Sequence, residues 1–296
     1  MENKALTVTV ITNMTSNYGE GLGNISSVQK VFRNGKIYAI RSRESLKNAV
    51  MVQSGMYDDL EVDVTGATQK AVSEELNASN CRALEGGYMN TKEETLKRNS
   101  SFYFTDAVAC DEFVNETRFH NNLFLAETYA KAHGINLQDK KGAAEAGLMP
   151  YQYEYDNSLK EYSLTIDLDK IGIDPNFEGA EASAEEKIYR VNTILNTVEH
   201  LSMVVKESMD NAEPLLVFGG IGPYKTHYFE NIVTVKNNRL SITEDLKNRT
   251  KEPYRAGLLK GGNFENENDI IHELNPMSIS EFFEKLREEV EEYYGK

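Results

Sequence analysis

Two cysteines in 296 residues, Cys81 and Cys110, are too few for a disulfide framework, and both read as reduced thiols. No apolar run approaches the ~20 residues that a bilayer span needs. The opening stretch, MENKALTVTVITNM, has neither the basic lead nor the small-residue cleavage site of a secretory signal, so the expectation is a cytoplasmic protein with no membrane contact. The five histidines, His120, His133, His200, His227 and His272, stand apart from one another and from cysteine or aspartate at ligand spacing, which gives no metal site. Neither a Ser-His-Asp nor a Cys-His arrangement is signalled, and there is no internal repeat. Basic charge is scarce: 32 Lys and Arg stand against 47 Asp and Glu, a net charge of −15 that works against indiscriminate binding to polyanions.

The charge is unevenly placed, however. Between residues 21 and 50, Lys30, Arg33, Lys36, Arg41, Arg43 and Lys47 face a single acid, Glu44, whereas residues 261–296 hold ten acids and three bases. A local basic patch can bind phosphate within an acidic protein because distant charges are screened beyond about 10 Å. The competing reading is a solvated surface loop.

Apolar residues make up 40% of the chain, enough for a core, and the length fits one large domain with insertions or two modest ones. Leu6–Thr12 alternates as a β-branched strand. Asn34-Gly35 between two apolar-rich runs signals a hairpin, and Ser42 caps a short helix. Residues 54–100 read as a polar insertion of short helices and loops. Residues 101–109, SFYFTDAVA, read as one strand, 115–156 as a second insertion, and 161–168 as a half-buried strand. Ser183 and Glu186 form a capping box that opens a helix over 184–209, with Ile188, Val191, Leu195, Val198 and Val205 as its apolar stripe. A buried strand over 215–218 ends at Gly219-Gly220, a hairpin turns around Asn237-Asn238, and a terminal helix begins at Ser278 or Ser280. Strand, helix, strand, strand, helix, strand is compatible with an α+β, split β-α-β core interrupted twice, which is also the frame of an RNA-recognition motif.

Three constellations carry possible chemistry. Gly19-Glu20-Gly21-Leu22-Gly23 fails as a dinucleotide fingerprint, because the first glycine lies seven residues past Thr12 and the third falls one place early. Its amides can still approach a phosphate. Arg41-Ser42-Arg43 sits at a helix start, where the positive helix end and two bidentate donors suit phosphate oxygens; surface ion pairs are the plain alternative. Gly219-Gly220-Ile221-Gly222-Pro223-Tyr224-Lys225 reads as a loop after a buried strand, with Lys225 and His227 as donors, or as a tight turn.

The segment LTVTVITNMTSNYGEGLGNISSVQKVFRNGKIYAIRSRESLKNAV resembles the start of the DevR-type backbone subunit of subtype I-B Cascade, the CRISPR interference complex. SFYFTDAVA and SLTIDLDKIG extend the likeness over about the first 210 residues. The resemblance implies an RRM-like (ferredoxin-like) palm over 1–296, with fingers inserted at 54–100 and a thumb at 115–156. It implies a noncatalytic protein that coats the guide RNA (crRNA) in stacked copies and supports pairing with a target DNA strand. Its partners are the large subunit, the handle-capping subunit and the crRNA-processing endonuclease, and no cofactor is implied. It places Asn24, Ser26, Ser27, Lys30 and Arg33 on the guide-facing stretch, Arg41, Ser42 and Arg43 on its backbone, and Gly219, Gly220, Lys225 and His227 at the glycine segment. Related type III subunits cut RNA with an aspartate in the loop matching 24–30. This chain has no carboxylate there, which disfavours that alternative. A dinucleotide-dependent small-molecule enzyme is the alternative of another class.

Overall fold

The computed structural model describes residues 4–18, 25–65, 67–91, 95–205 and 208–295. Eight strands make the main sheet: β1 (Ala5–Thr15), β2 (Lys30–Arg33), β3 (Lys36–Arg41), β4 (Phe102–Phe104), β5 (Ala107–Ala109), β6 (Asn157–Asp167), β7 (Leu216–Gly222) and β8 (Arg255–Leu258). Their order is β8-β7-β1-β6-β5-β3-β2, with β4 also on β6, and the ladders along this path are antiparallel. The central pair runs in continuous register from Ala5↔Asp167 to Thr15↔Asn157.

Alternation along β1 explains its central place. Leu6, Val8, Val10 and Met14 enter one core, while Thr7, Thr9 and Ile11 point to the opposite face, and all are buried. Three helices cover the first face: α1 (Arg43–Gln53), α2 (Ala184–Glu199) and α3 (Ile279–Tyr294). They supply Leu46 and Val50, Val191, Ile194 and Leu195, and Phe282, Phe283 and Leu286 to one cluster with the sheet. Burying each such side chain contributes about 1.5–3 kcal/mol, and truncating one to alanine costs about 2–5 kcal/mol. Ser278 caps α3 in a full capping box with Glu281. On the second face, Phe229, Val233, Leu240, Tyr254, Phe264 and Ile270 cover the β1–β7–β8 half of the sheet. The β3–β5–β6 half keeps an open groove.

Several expectations are corrected. The helix predicted over 184–209 stops at Glu199, and residues 202–205 and 208–211 form a hairpin. Val205 keeps the helical phase of Val198, but Met203 is buried between half-buried Ser202 and exposed Val204, a period of two. The capping box at Ser183 is half formed: its hydroxyl accepts from Glu186 N–H, while the Glu186 carboxylate binds Arg82 and Arg190. SFYFTDAVA is two strands, because buried residues switch from Phe102 and Phe104 to Ala107 and Ala109, a phase slip at Thr105-Asp106. Gly219 and Gly220 lie inside β7, not in a loop. A Cβ on Gly219 would stand 2.3 Å from the Thr7 carbonyl oxygen, and one on Gly220 2.4 Å from that of Pro253. Residues 54–100 are built on two hairpins, Val62–Thr65 with Ala67–Lys70 and Tyr88–Asn90 with Leu96–Arg98, around the 3-10 turn Arg82–Gly86.

Candidate nucleic-acid interface

The open half of the second face is a groove of about 610 Å3. Arg33 and Tyr38 come to it from the β2–β3 hairpin, and Arg43 from the first turn of α1. Thr105, Asp106 and Val108 come from the β4–β5 break, Glu161 from β6, and His227, Glu230 and Lys236 from the segment after β7. Of the twelve residues expected from sequence, it brings together Arg33, Arg43 and His227. His227 Nδ1 lies 2.8 Å from Thr165 Oγ1, and burial holds its pKa below the usual value against the pull of Glu230. Burial pushes the Glu161 carboxyl up to about 8, helped by Glu230 and opposed by Arg33.

The start of α1 is already satisfied from within. The Arg43 amide donates to Asp106 Oδ1 at 2.8 Å, Ser45 N–H donates to Ser42 Oγ, and Ser42 N–H donates to Asn17 Oδ1 at 2.7 Å. The Arg43 guanidinium is exposed and pairs with Glu44 at 2.9 Å. Arg41 is neither a surface ion pair nor an exposed phosphate donor. It is 5% exposed, with Nε on the Thr15 carbonyl at 3.0 Å and Nη1 on Ser45 Oγ at 2.9 Å. Beside it the fully buried Lys160 ammonium donates to the Met14 carbonyl at 2.9 Å and to Asp156 at 2.5 Å. Burial lowers both pKa values. Together these two cations fasten the end of β1.

Asn24, with the glycines at 19, 21 and 23, lies outside the described residues. Ser26, Ser27 and Lys30 sit elsewhere, at the base of the 115–156 insertion. There Ile25–Ser26 pairs in parallel with Gln152 and Tyr153, and Ser27 is exposed. Glu154 accepts from Val28 N–H at 3.1 Å and from Lys30 Nζ at 2.5 Å. Tyr18 and Tyr153 meet edge to face at 6.2 Å, and the Arg118 guanidinium lies 3.3 Å over the Tyr155 ring. Burial raises the Tyr18 hydroxyl to about 12. Lys225 is held at 2.7 Å from Asp167 and 2.6 Å from Asp169. Burial opposes its charge, but the two carboxylates keep its pKa above the usual value.

Sequence reasoning missed Tyr38, Glu161 and Lys236 in the groove, and Glu154 beside the loop. Glu161 carried a signal, a carboxylate inside the alternating strand EYSLTID, and Glu154 sits among three tyrosines in YQYEY. No group of three His, Cys, Asp or Glu side chains among the described residues can hold a metal ion, and no described helix is long and apolar enough to cross a membrane.

The fold and groove define an α+β protein with helices on one face of an antiparallel sheet and a cation-bearing groove on the other. Residues 6–221 match the family described as CRISPR-associated negative auto-regulator DevR/Csa2, and the chain belongs to that family. No curated relative matches it. Among solved structures, a chain of a "CRISPR RNA-guided surveillance complex, pre-nicking" is 12% identical, with a TM-score of 0.52 over 96% of this chain and 89% of that one. A chain of a "CRISPR RNA-guided surveillance complex" is 15% identical, with a TM-score of 0.47 over 96% and 84%. At these identities the likeness to the first is one of fold.

Proposed function

We propose that this chain is a noncatalytic, crRNA-binding backbone subunit of a CRISPR interference complex of subtype I-B. Copies stack along the guide RNA and hold it for pairing with a target DNA strand beside the other Cascade subunits. The observation that carries this reading is the family match over 6–221, which spans β1 through β7. The strand order β7-β1-β6-β5, with α1 after β1 and α2 after β6, supports an RRM-like palm in which 54–100 serve as fingers and 115–156 as the thumb. Guide phosphates meet Arg33, Arg43 and Lys236 at the groove, with the tyrosines at the thumb base beside the strand. Cleavage has no support near 25–30, where the neighbouring carboxylate, Glu154, is spent on Lys30.

The test is whether nucleic acid of uniform guide length copurifies, followed by titration against RNAs of increasing length. Affinity per site should rise with length, because neighbouring copies raise the effective concentration of the next. Equal affinity on short and long RNA defeats the coat reading. Replacing Arg33 and Arg43 by Glu should weaken binding for every sequence and flatten the salt slope by ~0.7 log units per lost phosphate contact. The family's description also favours a second reading, repression of the chain's own expression. Selective binding to a DNA fragment from its own promoter, with no RNA copurified, would establish that reading instead.

A further inference from the structure

Among the groove groups that phosphate binding does not use is the Glu161 carboxyl. Glu161 lies on the groove floor, at the edge of a polar strip in which Thr9 meets Ser163 at 2.7 Å and Thr7 meets Thr165 at 3.3 Å. Those hydroxyls satisfy one another, whereas no hydrogen bond joins the Glu161 carboxyl to another described residue. Tyr38 brings a ring, and Arg33, Arg43 and Lys236 bring positive charge, to the same groove. A space of about 610 Å3 is ample for one unstacked nucleotide of either ring size.

Resting on the RNA-binding reading, we propose that this groove receives one nucleobase of the bound strand, of any identity, and that the Glu161 carboxyl pairs with the base edge. A neutral carboxyl carries one O–H donor and one carbonyl acceptor side by side. Every base presents an adjacent donor and acceptor: the amino group and ring nitrogen of adenine and cytosine, or the ring N–H and carbonyl of guanine and uracil. One protonated carboxyl therefore meets all four, as a sequence-independent coat requires. An ionised carboxylate can only accept, so it loses half of each such pair and repels the phosphates nearby.

The surroundings favour the neutral form. Glu230, His227 and Lys236 face Glu161 from the segment after β7, Arg33 and Tyr38 from the edge hairpin, and Arg43, Asp106 and Cys110 from the remaining wall. Burial with Glu230 outweighs Arg33 and leaves Glu161 mostly protonated at neutral pH. Burial holds the His227 pKa below its usual value and raises that of the Cys110 thiol. Within the groove, Glu161 is the group brought into the window above neutrality; Lys47, lowered to about 8 by burial, lies outside the groove, and the Glu161→Gln variant separates the two.

The test is fluorescence anisotropy with labelled hexamers of A, C and U, using the full chain at pH 6.5 and pH 9. The three should bind within about twofold of one another at pH 6.5. The A and C hexamers, whose rings do not titrate in this window, should bind about tenfold more weakly at pH 9, one pH unit above the Glu161 value. Glu161→Gln keeps a donor beside an acceptor and should hold its pH 6.5 affinity at pH 9. Glu161→Ala should be weak at both, with circular dichroism melts confirming that each variant folds. Hexamers that bind the wild type equally at both pH values, or a Glu161→Gln protein that loses affinity as the wild type does, overturn the pairing but leave RNA binding standing. No binding at either pH, to the hexamers or to longer RNAs, overturns both.

Discussion

The two insertions use charge and apolar surface in opposite ways. In residues 54–100 one ion pair, Glu85 with Arg98, is buried. The Glu85 carboxylate, fully buried, takes Arg98 and Arg190 at 2.9 Å each, the Gly172 amide at 2.5 Å, and the Ser101 hydroxyl. Asp174 takes the Tyr88 hydroxyl at 2.9 Å and the Ala78 amide at 3.0 Å. Arg190 belongs to α2 and Gly172 to the loop before it, so this insertion is tied to the helix layer of the main sheet. In residues 115–156 the apolar groups are outside. A small cluster of Ala126, Ala130 and Ala146 holds helices Leu123–His133 and Lys140–Glu145 together, while Phe124 is 80% exposed, Met149 73% and Phe119 62%. The lesson is that insertion length says little about role. A lobe that encloses its ions extends the scaffold, and one that turns its phenylalanines to solvent presents a surface for contact.

The contrast can be broken at either end. Glu85→Ala strands two buried guanidinium groups and should cost about 3–5 kcal/mol, read as a lower midpoint in urea unfolding. A loss below ~1 kcal/mol would mean that the ions do not anchor the lobe. Tyr88→Phe removes one donor from Asp174 and should cost about 1–3 kcal/mol in the same measurement. Phe124→Ser with Leu125→Ser should change stability by no more than ~0.5 kcal/mol while lowering length-dependent assembly on RNA. If the serine pair destabilises the chain as much as Tyr88→Phe, these residues pack internally and the contrast fails.

Much of the main sheet and its helices was legible because alternation and capping are local. β1, the Asn34-Gly35 hairpin, the Ser42 cap and the stripe of α2 can be read from the chain itself, whereas the start of α3 stayed open between Ser278 and Ser280 until the structure placed the cap at Ser278. The slip between Phe104 and Ala107 was also on the page, as a change in which residues alternate. What was not legible depends on partners far along the chain. Arg41 and Arg43 look alike in sequence, yet they sit on opposite sides of a helix cap, so one is buried under Thr15 and the other opens onto the groove. Lys225 reads as a free donor until Asp167 and Asp169 arrive from β6 and the turn after it. Gly219 and Gly220 read as a loop because their neighbours, the Thr7 and Pro253 carbonyls, are more than thirty residues away.

Asp106 at the start of α1 has a kinetic consequence as well as a structural one. Its carboxylate is tethered beside the Arg43 amide, so a strand arriving from solution meets an incumbent that never diffuses away. To use that helix end, a phosphate must first evict a resident acid that rebinds far faster than any visitor can. The exchange returns little, because one anion replaces another. Under the proposed guide-binding role, contacts that displace only water, such as those at Arg33 and Lys236, should therefore form first and set the rate at which a copy takes its place.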